Sequence, residues 1–372
     1  MEPFPKPKSR ATYLTPADLD SRSREDGLRL AALRRTIPAG CFQLHPRRSW
    51  VALTRSLLLV GACQAVLAAL PLSAEWLPAL TALWFVLACG FVGLFVIGHD
   101  CGHRSFSTKR WVNDAVGYLC MAPLLTGFHS WRIAHNHHHT HTQLRGEDPD
   151  WPEKMVTHGE FHSLPAASRP RTLLGYGSPF GVLLGFWSGV LRRLCLAGSY
   201  PQIRLSAPER RAVLLSNAAM LLVTGAVVAG LLRLGGPAAL LKHYLCPAAI
   251  AAVIGSLLTL LHHSREDAPV YDRDDWTPLR GQVFSTFQVR FPAVLEWLWL
   301  DINIHLPHHL SPQVPWYHLR AAAAALRAAY PEYYQERPFR WRDLRLLWSR
   351  PLLERDEAAG LYLPAGLPRR SG

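Results

Sequence analysis

Three histidine clusters dominate the chemistry this sequence could perform: His-Asp-Cys-Gly-His at His99 to His103, His-Asn-His-His-His at His135 to His139, and His-Leu-Pro-His-His at His305 to His309. On a helix, residues three and four apart share a face. His99 with His103, His135 with His138 and His139, and His305 with His308 and His309 are therefore each expected to present nitrogens to a common point. Eight imidazoles exceed what one four-coordinate zinc accepts, whereas two irons shared by three helical patches use such a set and keep positions open for oxygen. The clusters point to a dinuclear metal oxidase.

The elements that must position these residues are apolar. Only 18% of the 372 residues are charged, against roughly 25% in ordinary soluble domains. The shortfall is concentrated in Ser56 to Ala74, Leu77 to Gly98, Ala212 to Leu232 and Tyr244 to Leu261, each close to the ~20 residues that cross a bilayer as a helix. These read as two transmembrane hairpins in an all-α integral membrane protein with four transmembrane helices. Of the 40 Lys and Arg, 38 lie outside the hairpins and on one side of them, and only Arg233 and Lys242 fall in a hairpin turn. By the positive-inside tendency the basic side, which also carries every histidine cluster, is cytoplasmic. The expected divisions are a cytoplasmic N-terminal region (1–55), a first hairpin (56–98), a cytoplasmic region with the first two clusters and interfacial helices (99–211), a second hairpin (212–261) and a cytoplasmic C-terminal region with the third cluster (262–372). The net charge of +13 is then largely a topology signal, and with no nucleic-acid motif present, binding of nucleic acid is excluded.

Two further apolar stretches, Ala115 to Phe128 and Leu173 to Val190, are interpreted by parity. A crossing at the first would put clusters one and two on opposite faces of the membrane, and a crossing at the second would isolate the third cluster. Both are expected to be interfacial or re-entrant. Thr15 to Asp18 reads as a helix start with proline just inside, Leu319 to Tyr330 as a strong helix former, and Met1 to Arg10 as a disordered tail. Pro307, inside the third cluster, is expected to bend its helix. His137 and His141 are expected to support the ligands or face solvent.

The resemblance these residues carry is specific. His-Asp-Cys-Gly-His-Arg-Ser-Phe at His99 to Phe106, with Lys-Arg-Trp-Val-Asn-Asp at Lys109 to Asp114, resembles the first histidine box of membrane fatty acid desaturases, closest to the cyanobacterial acyl-lipid Δ12 (omega-6) group. Phe128 to His141 is similar to their second box, Asp301 to Ser311 to their third, and Ile37 to Phe42 to a segment before their first membrane helix. The match covers most of the chain beyond about residue 28. Gln143 stands where relatives often have Asn, and Thr259 where acyl-CoA desaturases place an Asn.

The resemblance implies two ferrous ions held by His99, His103, His135, His138, His139, His305, His308 and His309, with a further ligand from the His262, His263 pair. His263 matches the retained position of that pair and His262 the variable one. It also implies O2 as co-substrate, ferredoxin as electron donor, and an acyl group on a membrane glycerolipid as substrate. The protein is then a multi-pass protein of a bacterial plasma or thylakoid membrane with a cytoplasmic active site. Within the same metal chemistry a hydroxylase, ketolase or omega-3 desaturase is the alternative. A membrane metal transporter is disfavoured, because such proteins place ionisable ligands inside their spans and these four contain none.

Overall fold

The computed structural model describes residues 16–150, 155–176, 181, 202–264, 268–349 and 352–365. The expected tail, and most of Leu173 to Val190, lie outside the described residues. The described residues open with α1 (Pro16–Glu25) and α2 (Leu30–Thr36), followed by the long helices α3 (Pro46–Ala69) and α4 (Leu77–Gly102). Helix α3 begins earlier than the apolar pattern indicated because Pro46 occupies a first-turn position whose N–H has no helical partner, and it ends at Ala69, just before Pro71, so the predicted span to Ala74 is cut short.

Helices α5 (Arg110–Met121) and α6 (Phe128–His141) follow, then α7 (His158–Ser163), α8 (Arg169–Tyr176), α9 (Ala207–Leu240) and α10 (Cys246–His263). A π turn at Leu241–Leu245 joins the last two. At the start of α9, Ser206 donates from its N–H and its hydroxyl to Glu209 Oε2, at 2.9 and 2.6 Å. Gly235 and Gly236 leave helical geometry inside α9, Gly236 at φ 65°, where a side chain is disfavoured. Thr224, before this break, donates to Ala122 O at 2.9 Å, and Tyr244, after it, donates to Pro123 O at 2.7 Å. Twenty residues of straight helix would hold the two donors about 30 Å apart, so the glycines reverse the chain into two arms. The reversal thus sits at two residues, and Arg233 and Lys242 lie in the helical arms rather than in an extended turn.

Among the described residues, three helical stretches are long and apolar enough to cross a membrane: Pro46–Ala69, Ala74–Gly102, and Ala207–His263 with its two arms. The central one is α4, whose most apolar window is 67% buried against 28% for the other two. It packs on α3, α5 and α10 through Leu53, Val92, Ile97, Val116 and Leu258. The outer helices turn Leu58, Leu222 and Leu234 outward at 67%, 75% and 86% exposure, an apolar exterior that fits lipid rather than water. Ala115 to Phe128 does not continue away from the clusters. Helix α5 packs on α4, with Met121 filling the space over Gly98, the chain turns at Ala122–Leu124, and α6 returns to the histidines.

The C-terminal part adds α11 (Ala293–Leu298), α12 (His305–Leu310), α13 (Leu319–Ala329) and α14 (Trp341–Ser349). It also adds strands, which corrects the all-α expectation to a mostly helical protein. β1 (Val156–Thr157) pairs in parallel with β4 (Leu352–Asp356), β4 is antiparallel to β5 (Leu361–Pro364), and β2 (Gln288–Arg290) is parallel to β3 (Glu336–Pro338). Strands of two to five residues leave almost no alternation to read, and their partners are distant in sequence. The N-terminal helices close over α12 and α13, burying Leu19 and Leu33 with Leu310 and Leu326.

Candidate metal centre

The ends of four helices meet. Helix α4 delivers His99 on its last turn and His103 immediately after it, α6 delivers the second cluster, α10 ends in His262 and His263, and α12 is the third cluster. Pro307 is the third residue of α12, where its missing N–H would have had no helical partner, so it causes no bend.

The nitrogens of the three clusters that are buried together form two groups, not one per cluster. Atoms of His99, His103, His135, His139 and His308 lie within 4.8 Å of one another, and a second set comprises His138, His263 and His309. In the first, His308 Nε2 is 3.1 Å from His99 Nε2 and 3.0 Å from His139 Nε2, and His139 Nε2 is 3.1 Å from His135 Nε2. In the second, His263 Nε2 is 3.3 Å from His138 Nε2, and His305 joins by contacts of 2.8 Å to His263 Nε2 and 3.1 Å to His309 Nε2. The expectation that each cluster faces one point holds for His99 and His103 and is corrected for the second and third clusters. The i, i+4 pairs His135/His139 and His305/His309 stay together, while the intervening i+3 residues His138 and His308 go to the opposite group, because 300° and 40° of rotation place them on opposite flanks of the helix face. His262 Nε2 is buried without a hydrogen-bond partner outside both groups, its ring stacked 4.0 Å from that of His305.

The outward nitrogens explain why a cation fits. His138 Nδ1 lies 2.8 Å from Asp148 Oδ1, and His263 Nδ1 lies 3.1 Å from the Ser285 carbonyl oxygen. A carbonyl accepts only, as does a carboxylate, so both rings donate through Nδ1 and their Nε2 lone pairs face each other. A cation placed between them would accept both lone pairs. His103 Nε2, buried and without a partner, is a further donor atom awaiting an acceptor of its lone pair. Burial, reinforced by neighbouring imidazoles, holds His135, His139, His305, His308 and His309 well below the ordinary imidazole pKa, which keeps them in the neutral, metal-binding form. Burial works against protonation of His138 too, but the charge and hydrogen bond of Asp148 outweigh it and raise its pKa.

Supporting contacts come from residues that the histidine pattern does not reveal. Asp148, fully buried, also accepts from the backbone N–H of Gln143 at 2.7 Å and of Asp150 at 3.0 Å. Gln143, at φ 61°, donates from its side chain to the His263 carbonyl. That left-handed geometry is one Asn adopts readily. Asp100 faces His99 Nδ1 at 3.4 Å and accepts from the Trp316 N–H at 3.1 Å, and Thr142 Oγ1 lies 3.3 Å from His309 Nδ1. Trp131 stacks on His135 at 4.4 Å and 22°. Only the acidic run after the second cluster could have signalled Asp148. A cavity of about 500 Å³ reaches His103 and is lined by Arg34, Arg104, Arg132 and Asn136, a polar approach to the first group.

Comparison with known proteins agrees with this chemistry. A family model described as fatty acid desaturase matches residues 74–341. The chain is 33% identical to an sn-1 oleoyl-lipid 12-desaturase of Anabaena variabilis over 89% of each chain. It is 31% identical to an sn-1 acyl-lipid omega-3 desaturase (ferredoxin) of a Nostoc species, over 88% of this chain and 89% of that one. With a chloroplastic omega-3 fatty acid desaturase of Glycine max it shares 35% identity over 82% of this chain and 66% of the relative.

Proposed function

Because this chain belongs to the fatty acid desaturase family, we propose that it is an oxygen-dependent acyl-lipid desaturase that forms a cis double bond at Δ12 of an 18-carbon monounsaturated chain on a membrane glycerolipid. The observation that carries the reading is the convergence of nine imidazoles from four helix ends, with the Nε2 lone pairs of His138 and His263 directed at each other. Per turnover, O2 takes two hydrogens from the acyl chain and two electrons with two protons from a donor, and leaves as two waters.

Two irons held here supply the oxygen activation that breaking an unactivated C–H bond requires. His99, His103, His135, His139 and His308 would hold one iron. His138, His263, His305 and His309 would hold the other, with His262 behind His305. Asp148 holds the Nδ1 proton of His138, and the Ser285 carbonyl that of His263, so that both present Nε2 inward. Helices α3, α4 and the two arms of α9 and α10 are four crossing segments, with α5 and the start of α6 as a re-entrant pair. Both termini and all clusters lie on the cytoplasmic side, and the divisions at 55, 98, 211 and 261 follow. The apolar exterior of α4's partners brings the acyl chain in from the bilayer, and a basic surface at +13 net charge suits an acidic one-electron donor such as ferredoxin.

The reading is tested by expressing the chain in a host whose lipids are saturated and monounsaturated, then analysing fatty acids by gas chromatography and mass spectrometry. A linoleoyl product supports it. A hydroxylated product without diene, or a diene at another position, overturns it.

A further inference from the structure

Helix α6 carries two histidines at and just beyond the second cluster that the buried centre does not use. His137 and His141 are one turn apart on the opposite side of α6, their rings stacked at 4.0 Å and 16°. The loop after α6 brings Glu147 to them, with its Oε2 3.6 Å from His137 Nε2, too far for a hydrogen bond. Donor atoms of all three lie within 4.8 Å of one another. All three are partly exposed, unlike the buried groups.

The surroundings set the direction of the lone pairs. The Thr140 hydroxyl donates to the backbone carbonyl of His137 at 2.9 Å, so toward His141 it can only accept. His141 Nδ1, 2.9 Å from that oxygen and 3.1 Å from the His137 carbonyl, must carry the proton. Its Nε2 is therefore bare. His137 Nε2 is buried with no hydrogen-bond partner. Glu147 meets Arg273 through Oε1, but the Arg273 side chain is 72% exposed, and an ion pair at so solvated a side chain holds weakly; Oε2 is left toward the histidines.

We propose that His137, His141 and Glu147 form a third metal site, facing solvent and distinct from the buried centre, that takes a borderline divalent cation such as Zn2+ or Co2+. Two imidazole nitrogens and one carboxylate oxygen, with water at the remaining position, satisfy the tetrahedral preference of these ions. A cation there ties the last turn of α6 to the loop whose next residue, Asp148, orients His138.

The test is a Co2+ titration of the full-length, iron-loaded protein in detergent, followed by visible absorption, with iron per chain measured before and after. One cobalt per chain is expected without loss of iron. Removing even a residue that only orients a ligand costs about 10–100-fold in metal affinity. His141→Ala and Glu147→Gln should therefore each weaken cobalt binding at least about tenfold while iron content and desaturation stay at the wild-type level. Cobalt binding as tight in both variants as in wild type, or cobalt uptake only with matching release of iron, overturns the site. Iron content reads the buried centre separately, so failure here leaves the desaturase reading standing.

Discussion

Asp148 Oδ1 lies 2.8 Å from His138 Nδ1, and both side chains are almost wholly buried. The carboxylate fixes which nitrogen of the ring points inward, and such a contact increases the basicity of an imidazole toward a metal. It does so from a loop seven residues beyond the end of α6, held there by the Gln143 and Asp150 N–H groups.

Asp148→Asn keeps the shape and removes the charge. Iron affinity is expected to fall about 10–100-fold, seen as loss of iron from one of the two positions during dilution dialysis. Two irons retained per chain under those conditions would show that the carboxylate has no part in holding the metal.

The histidine pair at the end of α10 separates by contact. His263 Nε2 faces His138 and His305, whereas His262 stands outside both groups. His263→Ala should lose activity and part of the iron, and His262→Gln should keep most of both. An iron analysis in which His263→Ala matches wild type would remove His263 from the ligand set.

Gly102 permits a close approach that the centre needs. A Cβ there would stand 2.8 Å from Trp131 Cζ3, and Trp131 is stacked on His135. Gly102→Val should displace the indole at a cost of about 1–3 kcal/mol, lowering both thermal stability and iron per chain. The double variant with Trp131→Leu should recover part of the iron. No difference between the single variant and wild type in iron content would sink this coupling.

Chelation of the metal should lower the melting temperature and restoring Fe2+ should raise it again, since an ion that binds only the folded chain stabilises it by mass action. Scanning calorimetry or a dye-free fluorescence melt reads the shift. Identical melts with and without iron would count against a buried metal centre.

Sidedness is testable with single cysteines at Ser163 and Gly235 in a cysteine-free background. An impermeant thiol reagent applied to intact cells should label Gly235→Cys, at the reversal of α9, and leave Ser163→Cys unlabelled. The opposite pattern refutes the orientation.

The sequence by itself determined which imidazoles are candidate donors and much of their scaffold. Histidines three and four apart, at the ends of uncharged stretches long enough to span a bilayer, are local signals, and so was the extent of α13. Parity alone required the return of the chain after α5, because one site shared by all three clusters cannot straddle a membrane. What depended on distant contacts was not legible. The short strands pair residues far apart in the chain, such as Val156 with Leu352, and leave no periodicity of their own. The reversal falls in the turn expected between Leu232 and Tyr244, but its confinement to Gly235 and Gly236 is a matter of two backbone conformations. Above all, the division of the imidazoles belonged to the tertiary structure. Neighbours His138 and His139, or His308 and His309, differ by about 100° around their helix, so once four helix ends converge each pair must split, one ring to each group. Spacing says which residues can share a face; only the packing of α4, α6, α10 and α12 against one another decides which nitrogens share an ion.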